Sequence, residues 1–285
     1  MLFCAVKRTL RHLSVVGLFS AVVIAHPNTV NAGISIHGGT PESRAQILAE
    51  VDARWRSEIT RNTELAITIG ASALAEFCSA NKQTPVLATY LYRSRYLEIQ
   101  EDCAQPVAAI LADTALHYQA RLAEVLFPGS RTATLTRNPG LGASDQTTMV
   151  DVLLSAPEEG VAKGLGRLIT EGRWDAFLLP IDHSIYADAD YRLALETLFR
   201  HRRVAIVSIE SLLSQGAVAA TYYSNTQLEA ALLESVEHFL STGKLIGKQP
   251  NLINVGINRA ALRNLLGRII TAEELRALEA EVNGG

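Results

Sequence analysis

The sequence predicts an α/β fold built on mostly parallel sheet. Short apolar runs rich in β-branched residues alternate with longer stretches of helical period, which is the pattern of successive βαβ units. No internal repeat, low-complexity tract or long linker interrupts that alternation, so any two domains are joined by short connections. With 285 residues and 48% apolar content, the chain has ample material for one large core or two smaller ones.

The elements follow in order. Ile34 to His37 reads as a short strand, and residues 42–62 as a helix with Ile47, Leu48, Val51, Trp55 and Ile59 on one face. Leu65 to Ile69 is a buried strand ending at Gly70, followed by a helix over Ser72 to Ala80. Pro85 introduces a strand from Val86 to Tyr90, and Pro106 to Ala112 is the next. Asp113 is placed to cap a helix running to Phe127, which Pro128-Gly129 ends. Arg131 to Thr136 is a strand closed by Asn138-Pro139-Gly140, Val150 to Leu154 another, and residues 158–171 a helix stopped by Gly172. Trp174 to Ile181 is the clearest strand. The helix after Asp188 puts Tyr191, Ala194, Leu195, Leu198 and Phe199 on one face. Val204 to Val207 and Ala217 to Tyr222 are strands. Leu228, Leu232, Val236 and Phe239 mark a helix ending at Gly243. The tail holds an extended stretch at Leu252 to Val255, a helix near Asn258 to Leu266, and a last helix opened by the capping box Thr271-Ala272-Glu273-Glu274.

Residues 1–32 read as a secretory signal peptide. Lys7, Arg8 and Arg11 form a basic start, Leu13 to Ala25 is uncharged and mostly apolar, and Val30-Asn31-Ala32 offers small residues for cleavage before Gly33. An apolar run of about 13 residues falls short of the roughly 20 that span a bilayer. The expected location is therefore periplasmic, with the signal removed after Ala32. Export exposes Cys78 and Cys103 to an oxidising compartment. They either form a disulfide closing a loop of about 25 residues or remain two separate buried thiols.

Composition and motifs exclude several functions. A formal charge of −3 argues against a nucleic-acid binder, which normally shows a concentrated basic face. There is no nucleophile elbow and no phosphate-binding loop of the G-x-x-x-x-G-K-[ST] kind; Gly38-Gly39 reads as a plain turn. His37, His117, His183, His201 and His238 do not pair at metal-ligand spacing, and the two mature cysteines are too far apart for a C-x-x-C site. Asp182-His183 offers acid–base chemistry or, more plainly, a polar strand end. The expectation is a protein that is not an enzyme and uses no cofactor or metal.

What remains is a set of strands ending in polar or small residues. In open parallel sheets ligands bind beyond the carboxyl ends of strands. The candidate ligand-binding residues are accordingly Ser72, Tyr90, Asp182, His183, Glu210 and Tyr222. Two sheets facing each other would join these ends into one pocket. Tyr90, Tyr222 and Tyr223 suit an aromatic or otherwise flat ligand.

Several blocks in order resemble one family. These are Ala66-Ile67-Thr68-Ile69-Gly70-Ala71-Ser72-Ala73 followed by Thr84-Pro85-Val86-Leu87-Ala88; Trp174 to Asp182; Val207 to Tyr222 with Gly216-Ala217; Phe239-Leu240-Ser241-Thr242-Gly243-Lys244; and Asn258-Arg259-Ala260-Ala261-Leu262 to Gly267. Together they resemble the ABC transporter substrate-binding protein family of type I periplasmic fold, the group with tryptophan- and tyrosine-binding members. The resemblance implies two lobes, each a mostly parallel sheet flanked by helices. It places lobe 1 at residues 33–128 plus 223–244 and lobe 2 at 129–222 plus 245–285. It also implies a small-molecule ligand such as an amino acid, held between the lobes, and a membrane permease of an ABC system as partner. The chain is shortened against that pattern: one strand–helix unit stands between Gly33 and Gly70 where the family has two, and a helix is missing between Asn138-Pro139 and Val150. Shortening at the cleft opens an alternative, in which the fold serves as a non-transport sensory or protein-interaction partner at the cell envelope.

Overall fold

The structure is a computed structural model that describes residues 30–31, 33–55, 59, 64–80, 83–137, 150–155, 159–186 and 188–284. The turn expected at Asn138-Pro139-Gly140 and nearly all of the signal segment lie outside the described residues. Two sheets organise the rest. The first contains β1 (Val30–Asn31), β2 (Ile34–Gly38), β3 (Leu65–Ile69), β4 (Val86–Leu91) and β5 (Val107–Leu111), side by side in that order. β2 to β5 are parallel, and β1 pairs antiparallel with Ile34 and Ser35 only. The second contains β6 (Thr132–Thr136), β7 (Val150–Leu154), β8 (Ala176–Leu179), β9 (Val204–Val207), β10 (Ala219–Tyr222) and β11 (Asn254–Ile257), in the order β11-β10-β9-β8-β6-β7. All its pairs are parallel except β10 with β11.

The helices are α1 (Pro41–Trp55), α2 (Ala71–Ala80), α3 (Arg93–Gln100), α4 (Leu116–Leu126), α5 (Val161–Glu171), α6 (Asp188–Arg200), α7 (Asn225–Thr242), α8 (Arg259–Leu266) and α9 (Ala272–Asn283). A strand buried on both faces sends alternate side chains into two cores, and both sheets do this. In the first sheet, Ile34, Ile36, Leu65, Ile67, Leu87 and Ile110 meet α1 and α7 on one face. Ala66, Val86, Ala88, Ala109 and Leu111 meet α2 and α3 on the other. The second sheet packs Ala133, Leu135, Phe177, Leu179 and Val207 against α5 and α6. Its opposite face packs Ala176, Leu178, Val204 and Ile206 against α4, α8 and α9.

Helix exchange between the sheets fixes three chain crossings. α4 leaves β5 and packs on the second sheet. α7 follows β10 but packs on the first sheet. The chain then runs along β5, where the Gln249 side chain accepts from the Leu111 amide at 3.1 Å and donates to the Ala109 carbonyl at 2.9 Å. Glycine is required in that segment, because a Cβ on Gly247 would stand 2.1 Å from the Ala109 oxygen. The third crossing leads back to β11. The crossings are tied together: the Thr114 and Thr221 hydroxyls are 2.6 Å apart, and Asn254 donates to the Gln227 side chain at 2.7 Å. Gln227 also donates to the Leu252 carbonyl at 3.1 Å and closes a capping box with Ser224 at the start of α7.

The first sheet carries a topological anomaly. The steps β2–β3, β3–β4 and β4–β5 all run the same way across the sheet, yet α1 lies on the face opposite to α2 and α3. Crossovers on opposite faces in the same direction have opposite hands. Right-handed crossovers are the near-universal rule; with α2 and α3 obeying it, α1 makes a left-handed one. The second sheet explains how this arises. There β7-β6-β8-β9-β10 stand in the doubly wound order 2-1-3-4-5. Removing the second strand and its helix from that order leaves 1-3-4-5 with the first helix on the far face, as in the first sheet. The single strand–helix unit expected before Gly70 is therefore real.

Most sequence-based elements stand within a residue or three of their expected ends. α3 was not expected, because Tyr96, Leu97 and Ile99 are its only large apolar residues and form no stripe. Phe199 is 43% exposed, off the buried stripe of Tyr191, Ala194, Leu195 and Leu198. Cys78 on α2 and Cys103 after α3 form a disulfide, with Cα atoms 4.9 Å apart. It staples α2 to the α3–β5 connection beneath the first sheet. Non-reducing peptide mapping should find the two cysteines linked. Cys78→Ser should lower the unfolding free energy in urea by about 3 kcal/mol. Two freely alkylated thiols in exported protein would contradict this.

Candidate functional site

The carboxyl ends of β4, β5, β8 and β10 all arrive at the junction between the lobes. β5 and β10 lead directly into crossings. β4 and β8 meet through side chains: the Tyr92 and His183 rings lie 5.6 Å apart, and the His183 amide donates to the Ser94 Oγ at 3.5 Å. This is the region where a parallel-sheet protein places its ligand.

Asp182 follows β8 and is fully buried. It does not face a cleft as a free carboxylate. One oxygen accepts from the Thr136 hydroxyl and from the Arg137 amide at 3.1 Å, and the other accepts from the Ser184 amide at 3.0 Å and the Ser184 hydroxyl. Its own amide donates to the Tyr191 hydroxyl at 3.0 Å, which donates to the Pro180 carbonyl at 2.9 Å. The carboxylate thus ties the end of β6 to the end of β8 and has no acceptor capacity aimed at a ligand. Arg137 braces the same corner by donating to the carbonyls of Ser184 and, at 2.8 Å, Glu159.

The other candidates occupy separate surroundings. Ser72 is exposed on the first turn of α2. Tyr90 has φ +55°, and the β4–β5 register shifts between Thr89 and Leu91, which makes Tyr90 the extra residue of a β-bulge. A left-handed non-glycine residue costs about 1–2 kcal/mol. The bulge reverses the alternation: Tyr90 packs into the α1–α7 core, whereas Leu91 turns to the α2–α3 core. Burial and then the Glu229 carboxylate raise the Tyr90 pKa. Glu210 and Tyr222 are brought together, and the Tyr222 pKa is raised by burial first and by Glu210 next. His183 is half-buried at the lobe junction. Of the six residues, Glu210 and Tyr222 form one pair and Asp182 and His183 share one turn, while Ser72 and Tyr90 stand apart.

The sequence reading missed Tyr92, Ser94 and the true role of Asp113. Asp113 does not cap α4, whose N-cap is Ala115. It is buried at the first crossing and accepts from the Arg93 amide at 2.7 Å, so it fixes the start of α3. Burial pushes its pKa up to about 6, against the partial offset of the Arg93 amide bond and the Arg93 charge.

Three solved structures share this arrangement. A conserved domain protein from Vibrio cholerae O1 biovar El Tor superposes with a TM-score of 0.54 at 14% identity, over 80% of this chain and 81% of that one. A substrate binding protein with adhesive properties from Clostridium difficile, in its ligand-free, open structure, gives 0.54 at 14% identity, over 82% and 83%. An ABC domain from Streptococcus pneumoniae in complex with L-Trp gives 0.51 at 16% identity, over 80% and 84%. The likeness establishes a two-lobed α/β fold of the type I periplasmic binding protein kind. No protein-family model and no curated protein sequence matches the chain.

Two outcomes follow from the buried carboxylates. Asp182→Ala strands several buried donors and should cost about 3 kcal/mol or more, a fall in melting temperature of roughly 6–12 °C; an unchanged melt would contradict the staple. Asp113 titrates at a higher pH folded than unfolded, so its contribution is favourable at low pH and is lost as pH rises through about 6. In urea titrations from pH 4 to pH 7, the stability of Asp113→Asn relative to the natural chain should therefore grow by about 2 kcal/mol. A constant difference across that range would show that Asp113 does not titrate as described.

Proposed function

We propose that the chain is an exported solute-binding protein that takes a small molecule between its lobes and presents it to a membrane permease of an ABC-type system. One observation carries this reading: the carboxyl ends of strands from two parallel sheets converge where the chain crosses three times. Crossings tied at one edge permit the lobes to close about a ligand, and a partner reads the closed form. The disulfide suits an oxidising compartment and supports export with cleavage after Ala32.

An amino acid is the first ligand class to test, because one structural neighbour was solved in complex with L-Trp. His183, Glu210 and Tyr222 are the proposed lining. Asp182 positions the turn beneath His183. Chemistry by a cofactor has no part in this reading.

The shortened first sheet favours a second reading. A lobe without its second strand and helix has lost a wall of the cleft, which suits a sensory or protein-interaction partner at the cell envelope that binds no solute.

Thermal-shift measurements on the chain from Gly33, with each of the twenty amino acids and with small anions, separate the two. A ligand at a hundredfold excess over its Kd adds about 2.7 kcal/mol, a rise of about 5–10 °C for a protein of this size. Glu210→Ala and His183→Ala should reduce that rise. If no compound shifts the melt, the solute-binding reading fails and the second one leads.

A further inference from the structure

The contact between β4 and β8 has a feature that the binding reading does not require. Tyr92 is the N-cap of α3, a helix that packs beneath the first sheet, yet its side chain packs against the second lobe's core. Its side chain makes no cap bond to the helix. The Asp113 carboxylate accepts from the Arg93 amide and fixes the start of the helix. Tyr92 stacks at a tilt on His183, and the next turn of backbone places the buried Ser94 hydroxyl under the His183 amide.

The bulge at Tyr90 makes this reach achievable. Regular alternation along β4 would send Tyr90 to the α2–α3 face with Ala88. The extra residue at φ +55° instead puts Leu91 on that face. It thereby redirects the chain so that Tyr92 leaves the first lobe. Backbone strain at a strand end, a ring housed in the other lobe and an amide bond across the junction are three separate observations with one consequence.

We infer that Tyr92, Ser94 and His183 form an inter-lobe latch that holds the lobes together without ligand and must open before one enters. The inference deepens the proposed binding function and rests on it only for what the latch admits. It makes the closed arrangement the resting one, so that binding is governed by how often the latch releases. An apparent affinity is reduced by the fraction of molecules that are open.

Small-angle scattering on the chain from Gly33 reads the latch without any ligand. A compact chain of this size has a radius of gyration of about 18 Å. His183→Ala removes a half-buried ring, and Tyr92→Ala removes its partner. Each should raise the radius of gyration, with a shift of the closed-to-open ratio of about 2- to 12-fold, the range of one aromatic pair. The double variant should open no further than Tyr92→Ala alone, because that change already removes the ring pair. Amide exchange at His183 should rise in Ser94→Ala. If Tyr92→Ala unfolds, as judged by far-UV circular dichroism, His183→Ala decides alone. Scattering unchanged in His183→Ala, or effects that add in the double variant, would overturn the latch. A failed ligand screen would leave the scattering result standing, and unchanged scattering would leave a ligand-induced thermal shift standing.

Discussion

Both faces of a parallel sheet must be buried, and this chain carries two such sheets. Each sheet needs two helical layers, but neither completes both with the helices that connect its own strands alone. The first sheet completes its α1 face with α7, which begins after β10. The second completes its outer face with α4, which begins after β5, and with α8 and α9 from the tail. Swapping these layers forces the chain across the junction three times. The crossings fall at the carboxyl ends of β5 and β10, so the same demand for burial that builds the cores also assembles the strand ends. The polar groups at those ends then need partners. Thr114 finds Thr221, Asn254 finds Gln227, and Asp182 gathers the donors of two strands.

The two sheets show what happens when one member of this arrangement is lost. The second keeps the doubly wound order, and its β7–β8, β8–β9 and β9–β10 connections lie on one face. The first has, among the described residues, no parallel strand outside β2. The chain now steps from β2 to β3 by way of α1 on the far face, a connection of the rare hand. The connection persists because α1 is held by what it buries: Ile47, Val51 and Trp55 are each at most 7% exposed. Core packing of this extent outweighs a topological preference that arises from strand twist. β1 covers only two residues of the vacated edge, which leaves the outer side of Ile36 to Gly38 less paired than any interior strand.

The elements legible in the sequence are those whose local signals agree with their final burial. β3 and β8 are apolar runs bounded by polar residues, α9 announces itself with Thr271 and Glu274, and α5, α7 and α8 stop at left-handed glycines. α3 lacked such a signal. It is held by long-range partners, Asp113 at its start and Tyr96 and Ile99 in the disulfide-bearing core, and no periodicity records those. The site was legible at the level of strand ends and not of side chains. Asp182 looked like a ligand carboxylate because it ends the clearest strand. Its role was decided by Thr136, Arg137 and Ser184, two of which lie some 45 residues away in sequence. Asp113 was assigned to the helix that follows it, whereas the structure gives it to the helix that precedes it across β5.

Tyr90 shows how a local cost and a global arrangement are balanced. A glycine would occupy φ +55° without strain, and a regular strand would avoid it. The strain is sustained by contacts on both sides. Tyr90 itself is packed against the α7 core beside Glu229, and Leu91 is buried in the opposite core at 2% exposure. A return to regular alternation would eject both from their cores and withdraw Tyr92 from the second lobe. Strain held in place by surrounding packing is characteristic of segments where function constrains the backbone. Here it sits where a strand of one lobe reaches the turn that Asp182 organises in the other. A rigid Asp182 turn gives Tyr92 a fixed surface to meet, and the Asp113 bond gives α3 a fixed start from which to present it. The two buried carboxylates therefore act as supports on either side of the junction, which explains why neither is available as a ligand-binding charge.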